Sequence, residues 1–271
     1  MNGSDELRRQ AGAMGGFIAR RRWLAGLVAG AGSVALGGCD RAVQDERIDG
    51  VLRSAEKLTR VSQRLLLDHQ PLAREFRAGD RSPVFRVNGS SMPDSPDYAR
   101  LLQNRFADYR LRVDGLVDAP LSLSLDDLRA MKGRSQITRH DCVEGWSAIG
   151  QWQGVPLGQV LDRARLKPGA RYLVFHCADA LEKSLDGSGQ YYESIDLLDA
   201  YHPQTILAYG MNGAELPVPH GAPLRLRVER QLGYKQAKFV MRIEVVDSFA
   251  TLAGGRGGYW EDRGYEWYAG I

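Results

Sequence analysis

The sequence predicts an α+β domain of mixed sheets and short helices, with strand exceeding helix. Three observations carry this. Runs rich in β-branched, aromatic and other apolar residues recur in the second half, at residues 171–177, 191–195, 224–228 and 238–246, each bounded by turn residues. Asn212-Gly213 stands between two apolar stretches, the dipeptide that a two-residue hairpin turn favours because both positions take positive φ. Within the domain the helical patterns are few and brief, and Ser124 and Pro156 mark the starts of two of them.

In chain order, the first segment stands apart from the domain. Arg20-Arg21-Arg22-Trp23-Leu24 precedes an apolar small-residue run that ends in Leu36-Gly37-Gly38-Cys39. A basic cluster, a short apolar stretch and small residues before a cut site make an export signal. Arg20 and Arg21 resemble the pair of a twin-arginine signal. Leu36-Gly37-Gly38-Cys39 resembles a bacterial lipobox, with Cys39 as the lipidated residue. An uncleaved N-terminal anchor is the alternative. The chain has 36 basic and 33 acidic residues; residues 1–39 hold five Arg and two acids, so 31 of each sign remain. The near-neutral remainder carries no basic patch of the kind nucleic acid needs.

Residues 45–68 read as an amphipathic helix, with Ile48, Val51, Leu52, Ala55, Leu58, Val61 and Leu65 at spacings of three and four. With a linker to residue 78 it leads into the domain proper, residues 79–250, which is followed by a Gly- and aromatic-rich tail, 251–271. Residues 83–98 read as an extended loop and 111–117 as a strand with a turn. Ser124 caps a helix over 125–131, with Asp126 and Asp127 in its first turn. Gln136-Ile137-Thr138 is a strand. Pro156 opens a helix to residue 164, and residues 196–201 form another, ended before Pro203. Tyr259, Trp260, Tyr265, Trp267 and Tyr268 make the tail too aromatic to hang free; core packing is their expected role, with cover over a site mouth as the second.

Three segments carry chemistry. Cys142 lies in Arg139-His140-Asp141-Cys142-Val143-Glu144-Gly145-Trp146, where Arg139 and His140 are expected to favour the thiolate, the form that attacks or ligates. No second cysteine stands at zinc spacing, so a metal here would take its other ligands from a cofactor. A disulfide with Cys177 is the alternative. Pro219-His220-Gly221-Ala222-Pro223-Leu224-Arg225 offers a close backbone approach at Gly221 and a two-pronged phosphate grip at Arg225, or else an ordinary loop with a solvated arginine. Gly233-Tyr234-Lys235-Gln236-Ala237-Lys238 could cradle an anion, or be a solvated turn.

In this order the three segments, with Trp152, Gly154, Pro156, Leu157 and His202-Pro203 between them, resemble the sulfite-oxidase family of molybdenum enzymes. The resemblance runs from about residue 106 to 247 and is strongest to the exported bacterial branch that includes the periplasmic methionine-sulfoxide reductases. It implies a sulfite-oxidase-type fold and a Mo-molybdopterin cofactor, with Cys142 as both metal ligand and catalytic residue. Arg225 would hold the cofactor phosphate, lined also by Gln236, Ala237 and Lys238. His220 stands where relatives have a polar contact, often Asn. Cys177 stands where the reductase branch has Thr, which argues against the disulfide. Arg86 and Asn88 correspond to an N-terminal cofactor loop.

The implied activity is two-electron oxygen-atom transfer, sulfoxide reduction among the candidates, on a small or protein-bound substrate. The expected setting is the periplasm, tethered to the inner membrane. No haem-attachment motif is present, so electrons are expected to pass through a separate partner, a membrane haem protein or a periplasmic cytochrome. The dimerisation domain of the sulfite oxidases proper is expected to be missing, and no arginine set like theirs for sulfite can be placed. Two other readings remain: a molybdopterin-binding or electron-relay lipoprotein without turnover, and a cysteine hydrolase pairing Cys142 with His140, His176 or His220.

Overall fold

The structure is a computed structural model that describes residues 71–184 and 189–271, and Leu58 and Val61 ahead of them. The chain divides into two compact units, Met1–Gln63 and Arg64–Ile271. In the first, Leu58 and Val61 are described, and both are helical. The export signal, Cys39 and the rest of the 45–68 helix lie outside the described residues. No helix among the described residues is long and apolar enough to cross a membrane.

The second unit contains two mixed-length sheets and four short helices among the described residues. One sheet has the order β2 (Leu121–Leu123), β1 (Leu111–Gly115), β10 (Val240–Val246), β5 (Tyr172–Ala180), β6 (Gln190–Asp196). Only β1 and β10 pair in parallel in it. The other has the order β3 (Arg134–Cys142), β4 (Trp146–Pro156), β7 (Ile206–Met211), β8 (Ala214–Glu215), with β9 (Arg225–Arg227) pairing the first half of β7. The β7–β8 hairpin turns at Asn212-Gly213, as expected.

Helix α1 (Pro96–Gln103) corrects the expectation of an extended chain to residue 98. Ser95 Oγ accepts from Tyr98 N, and Pro96 takes the first helical position, where its missing N–H costs nothing. Helix α2 (Leu125–Arg129) carries the expected Ser124 cap, completed as a capping box by Asp127. In α3 (Leu157–Ala164) Pro156 is the cap rather than the first turn; Leu157, Val160, Leu161 and Ala164 form its buried stripe. Asp196 caps α4 (Leu197–Ala200).

Strand β4 was not legible, because Gly150, Gly154 and Pro156 dilute its strand character. Its partners supply the conformation: β3 pairs along nearly its whole length and β7 along its second half. The β4–β7 register shifts between Gln153 and Gly154. There the chains press so close that a Cβ on Gly154 would come within 2.2 Å of Leu207 O. The main core fills the space between the first sheet, α2, α3 and the ends of β4, β7 and β9. A smaller cluster gathers on fully buried Trp152 under the second sheet.

The aromatic tail is pinned to this body. Tyr259 N donates to Tyr192 O at 3.0 Å, Leu232 N to Ala269 O at 2.9 Å and Ile271 N to Arg230 O at 3.0 Å. Beneath it, Lys235 is fully buried between Glu193 of β6 and Glu261 of the tail, donating to both. Burial and the neighbouring Glu261 push the Glu193 carboxyl well above the ordinary range, and Lys235 opposes that rise. Lys235→Met would leave a buried negative charge without its cation. The expected loss is about 3–5 kcal/mol, read as a lower urea midpoint with an unchanged denaturant slope.

Candidate functional site

The β3–β4 hairpin delivers Cys142. Strand β3 extends beyond the expected Gln136-Ile137-Thr138 to Cys142 itself, which pairs with Trp146. Three residues turn the chain, Val143, Glu144 and Gly145; Gly145 takes φ +83° and its N–H donates to Cys142 O at 3.1 Å. A three-residue hairpin with glycine in the left-handed position has this form. The two-residue period puts Gln136, Thr138, His140 and Cys142 on one face, the first three buried. A buried network engages part of that polar face, leaving Thr138 Oγ1 and His140 Nε2 without a partner. Gln136 Nε2 donates to Glu229 Oε1 at 2.8 Å, and Arg227 donates to Glu229 through two nitrogens and to His140 Nδ1 at 3.0 Å.

Cys142 and Cys177 are both free, Cys142 partly exposed and Cys177 buried. The expectation that Arg139 and His140 favour the Cys142 thiolate is not met. Arg139 is turned outward and paired with Asp141 at 2.9 Å. Burial, with Arg225 and Arg227 beside it, drives the His140 pKa well below its ordinary value, so the ring is neutral. Burial, with Glu144 adding to it, raises the Cys142 thiol. Arg225, not Arg139, is the cation that offsets this.

Cys142 opens into a cleft of about 140 Å³. The hairpin contributes Cys142, Val143 and Glu144. The loop before α1 contributes Asn88, Gly89 and Ser90. Strands β5 and β6 with their connection supply Asp179, Leu181 and Tyr191; the segment before β10 supplies Gly233, Tyr234, Gln236 and Lys238; the tail supplies Trp260 and Tyr265.

Two buried cations govern one side of it. Lys238 Nζ donates to the carbonyls of Asn88, Ser90 and Pro219. Arg225, completely buried, donates to His220 O and to Asn88 Oδ1, both at 3.2 Å, while its Nε has no partner. Its guanidinium lies 5.2 Å from the Trp152 ring centroid. Neither makes a salt bridge with a carboxylate among the described residues, in contrast to Arg227 and Lys235. Burial and the Arg225 charge pull Lys238 down to about 7. Burial and Arg227 pull Arg225 down to about 9, which leaves it a cation at neutral pH.

The site residues expected from sequence are thus partly assembled. Cys142, Asn88, Gln236 and Lys238 line the cleft, and Arg225 stands behind Asn88. His220 gives Arg225 its carbonyl and sets its ring edge-on to Phe85 at 5.6 Å. Burial, with Arg225 and Lys238 beside it, lowers His220 to about 4. Ala237 is buried in the core, its carbonyl accepting from Leu226 N at 2.8 Å. Cys177 packs in the core with its thiol toward Phe175 O. Arg86 is exposed. Asp179, two residues beyond Cys177 on the same face of β5, reaches the cleft instead; Ser90 Oγ donates to its Oδ2 at 2.5 Å. Asp179, Ser90, Tyr191 and Leu181 were not singled out from sequence, and the two tail rings only as candidates for core packing or for cover over a site mouth. The only signal for the last two was the aromatic density of the tail.

A family model described as the oxidoreductase molybdopterin binding domain matches residues 99–251. The chain belongs to that family. It is a molybdopterin-dependent oxidoreductase, with mixed sheets and short helices of the sulfite-oxidase type. The "Putative protein-methionine-sulfoxide reductase subunit YedZ1" of Azospira oryzae is 35% identical over 272 residues, 99% of this chain and 95% of that protein. The protein-methionine-sulfoxide reductase catalytic subunits MsrP of Xanthomonas campestris and Ralstonia nicotianae are each 35% identical, over 61% and 59% of this chain. The chain spans about half the length of these two, 52% and 49%. The sulfane dehydrogenase SoxCD of Paracoccus pantotrophus is a solved structure with 26% identity and a TM-score of 0.46, covering 52% of this chain and 39% of its own.

The residues present fit the family's cofactor. A free thiol borders the cleft, two buried cations lack anionic partners, and a buried guanidinium N–H is orphaned at Arg225 Nε. At Gly233 a Cβ would strike the His140 ring at 2.5 Å, so glycine lets the backbone close in there. Among the described residues no group of three or more His, Cys, Asp or Glu could hold a metal by itself. A single soft protein ligand is what a metal carried in by a dithiolene cofactor requires.

Lys238 gives the site a pH signature. Its pKa is lower folded than unfolded, so the unfolded chain binds the proton over a window in which the fold does not. Stability of the cofactor-free protein therefore falls as pH drops from about 10.4 to about 7, then levels off. A permanent dianion should gain from the same protonation. Sulfate affinity of the cofactor-free protein is expected to rise as pH falls through about 7, and Lys238→Met is expected to flatten that dependence in a calorimetric titration.

Proposed function

We propose that this protein is the catalytic component of an exported sulfoxide reductase whose substrate is methionine sulfoxide carried in a polypeptide. The observation that supports it most is the pairing of the free Cys142 thiol with the uncompensated Arg225 and Lys238 cations around one cleft. The names of the relatives supply the substrate. In this reading Cys142 is the protein ligand to molybdenum. Arg225 and Lys238, joined by Asn88, His220, Gln236 and the Ala237 backbone, hold the phosphate end of the molybdopterin, with Arg86 at the outer edge of that loop. Cys177 supports the site from the core.

When bound, the cofactor supplies two-electron oxygen-atom transfer. The overall reaction is sulfoxide plus two electrons and two protons giving thioether and water. The chain's own residues set the conditions. Burial keeps Cys142 a thiol until a metal displaces its proton. Neutral His140, held at Nδ1 by Arg227, stiffens the strand that carries it. Asp179 is buried in the cleft, burial raises its carboxyl, and Ser90 Oγ donates to its Oδ2 while Oδ1 has no partner. Electrons come from a separate partner, a membrane haem protein or periplasmic cytochrome. The twin-arginine-like Arg20-Arg21 pair and the lipobox-like Cys39 support a periplasmic site tethered to the inner membrane.

Holoprotein purified after twin-arginine export should contain one molybdenum per chain and reduce methionine-sulfoxide peptides with a viologen donor. Cys142→Ser is expected to keep the fold and lose more than about 100-fold of that activity, a ligand loss being at least as severe as loss of its supporting contacts. Full molybdenum with no turnover of any sulfoxide, N-oxide or sulfite would favour the alternative of a cofactor-binding or electron-relay lipoprotein.

A further inference from the structure

The cleft has a buried floor and an exposed mouth, and the two differ in chemistry. Lys238, Gln236 and Asp179 on the floor are 5%, 2% and 3% exposed. At the mouth, Val143 is 43% and Tyr265 is 41% exposed, and Trp260 is half-buried. The cations that suit a cofactor phosphate are at the floor. What enters from solvent meets Val143, Trp260 and Tyr265 first.

Trp260 and Tyr265 lie beyond residue 251, where the match to the family domain ends. They are stacked at 28° with centroids 5.2 Å apart, and Tyr234 meets Tyr265 edge-on at 5.3 Å. The rings are held as a wall. Next to Trp260, Glu261 is locked to buried Lys235. Asp262 accepts from Tyr192 Oη at 2.5 Å and from Gly254 N at 3.0 Å. Tyr234 Oη donates to Glu266 O at 2.6 Å. The pinning on both sides of the rings gives a preformed surface, which costs a ligand little ordering on binding.

We propose that Trp260 and Tyr265, with Val143 at the hairpin tip, form the specificity wall that receives the uncharged, sulfur-bearing side chain of a polypeptide substrate. The wall rests on the sulfoxide-reductase reading above and deepens it. Ring faces and edges favour methionine-type sulfur and its methylenes. The sole cation lining the cleft among the described residues is Lys238, on the floor, and the exposed acidic side chain at the mouth is Glu144. An anion such as sulfite meets no cation at the entrance and one carboxylate. An uncharged sulfoxide side chain meets aromatic and apolar surface.

The test uses the cofactor-loaded full chain. For Trp260→Ala/Tyr265→Ala and for Trp260→Phe/Tyr265→Phe, three quantities are read: molybdenum content, KM and kcat for a methionine-sulfoxide peptide against dimethyl sulfoxide, and binding of the matching methionine-sulfone peptide, which is not reduced. The double alanine variant is expected to keep its molybdenum and to raise peptide KM far more than it lowers kcat. Its peptide-to-dimethyl-sulfoxide preference in kcat/KM should fall about tenfold, with a similar loss of sulfone affinity, as expected for two sulfur–aromatic contacts. The double phenylalanine variant, which restores the rings, should recover most of it. Loss of molybdenum with peptide KM unchanged would assign the wall to the cofactor and overturn the proposal, as would equal effects on both substrates. If the unmodified enzyme turns over no sulfoxide, the reductase reading fails. Sulfone-peptide binding then still decides the wall, which stands if the alanine variant binds about tenfold more weakly and falls if it binds equally.

Discussion

The constraint on which the rest of this structure depends is the burial of Arg225 and Lys238 without carboxylate partners. A buried cation is ordinarily paired, because leaving water costs several kcal/mol that only an opposite charge and good hydrogen bonds offset. The same fold observes that rule at Arg227, bound to Glu229, and at Lys235, bound to Glu193 and Glu261. Its departure at two neighbouring positions marks a place where the counter-charge arrives with a ligand. The pKa shifts agree: both groups are pulled down, each chiefly by burial and next by the cation beside it. An anionic cofactor end relieves both at once, so its binding and the stability of the fold are coupled.

Around that constraint the elements have separable tasks. The β3–β4 hairpin brings a soft ligand to the cleft and holds it on a strand rather than a mobile loop. Trp152 and the Arg227–Glu229 pair support the polar face of β3 from below and place two guanidinium groups over one indole ring. The tail closes the mouth with aromatic rings, and the Lys235 triad fastens it. In the proposed reading, cofactor grip, metal ligand and substrate wall come from three regions that meet only in the folded chain.

How much of this could be read from the sequence depended on where the determining contacts lie. The Asn212-Gly213 turn, the Ser124 cap and strands β5, β6 and β10 carry their causes within a few residues, and they were legible. Strand β4 owes its form to two partners, and its glycines hide it. Arg225, read by itself, looked as much like a solvated strand residue as a phosphate grip; its burial is decided by β7 and the loop that carries Asn88. At β5 the expectation fell on Cys177, whereas Asp179, one step further along the same face, reaches the cleft. The Cys142 thiolate was assigned to its sequence neighbours, but Arg139 points away and His140 is neutral; the relevant cation stands more than eighty residues downstream. The family resemblance ordered the motifs correctly, and the fold shows why the order matters.

The central claim is that Cys142 is the protein's bond to molybdenum. X-ray absorption at the molybdenum edge of the purified holoprotein, compared with Cys142→Ser, tests it most directly. The account predicts that the variant loses one sulfur neighbour from the metal shell while the cofactor's own sulfurs remain. An identical sulfur shell in the two proteins would contradict it.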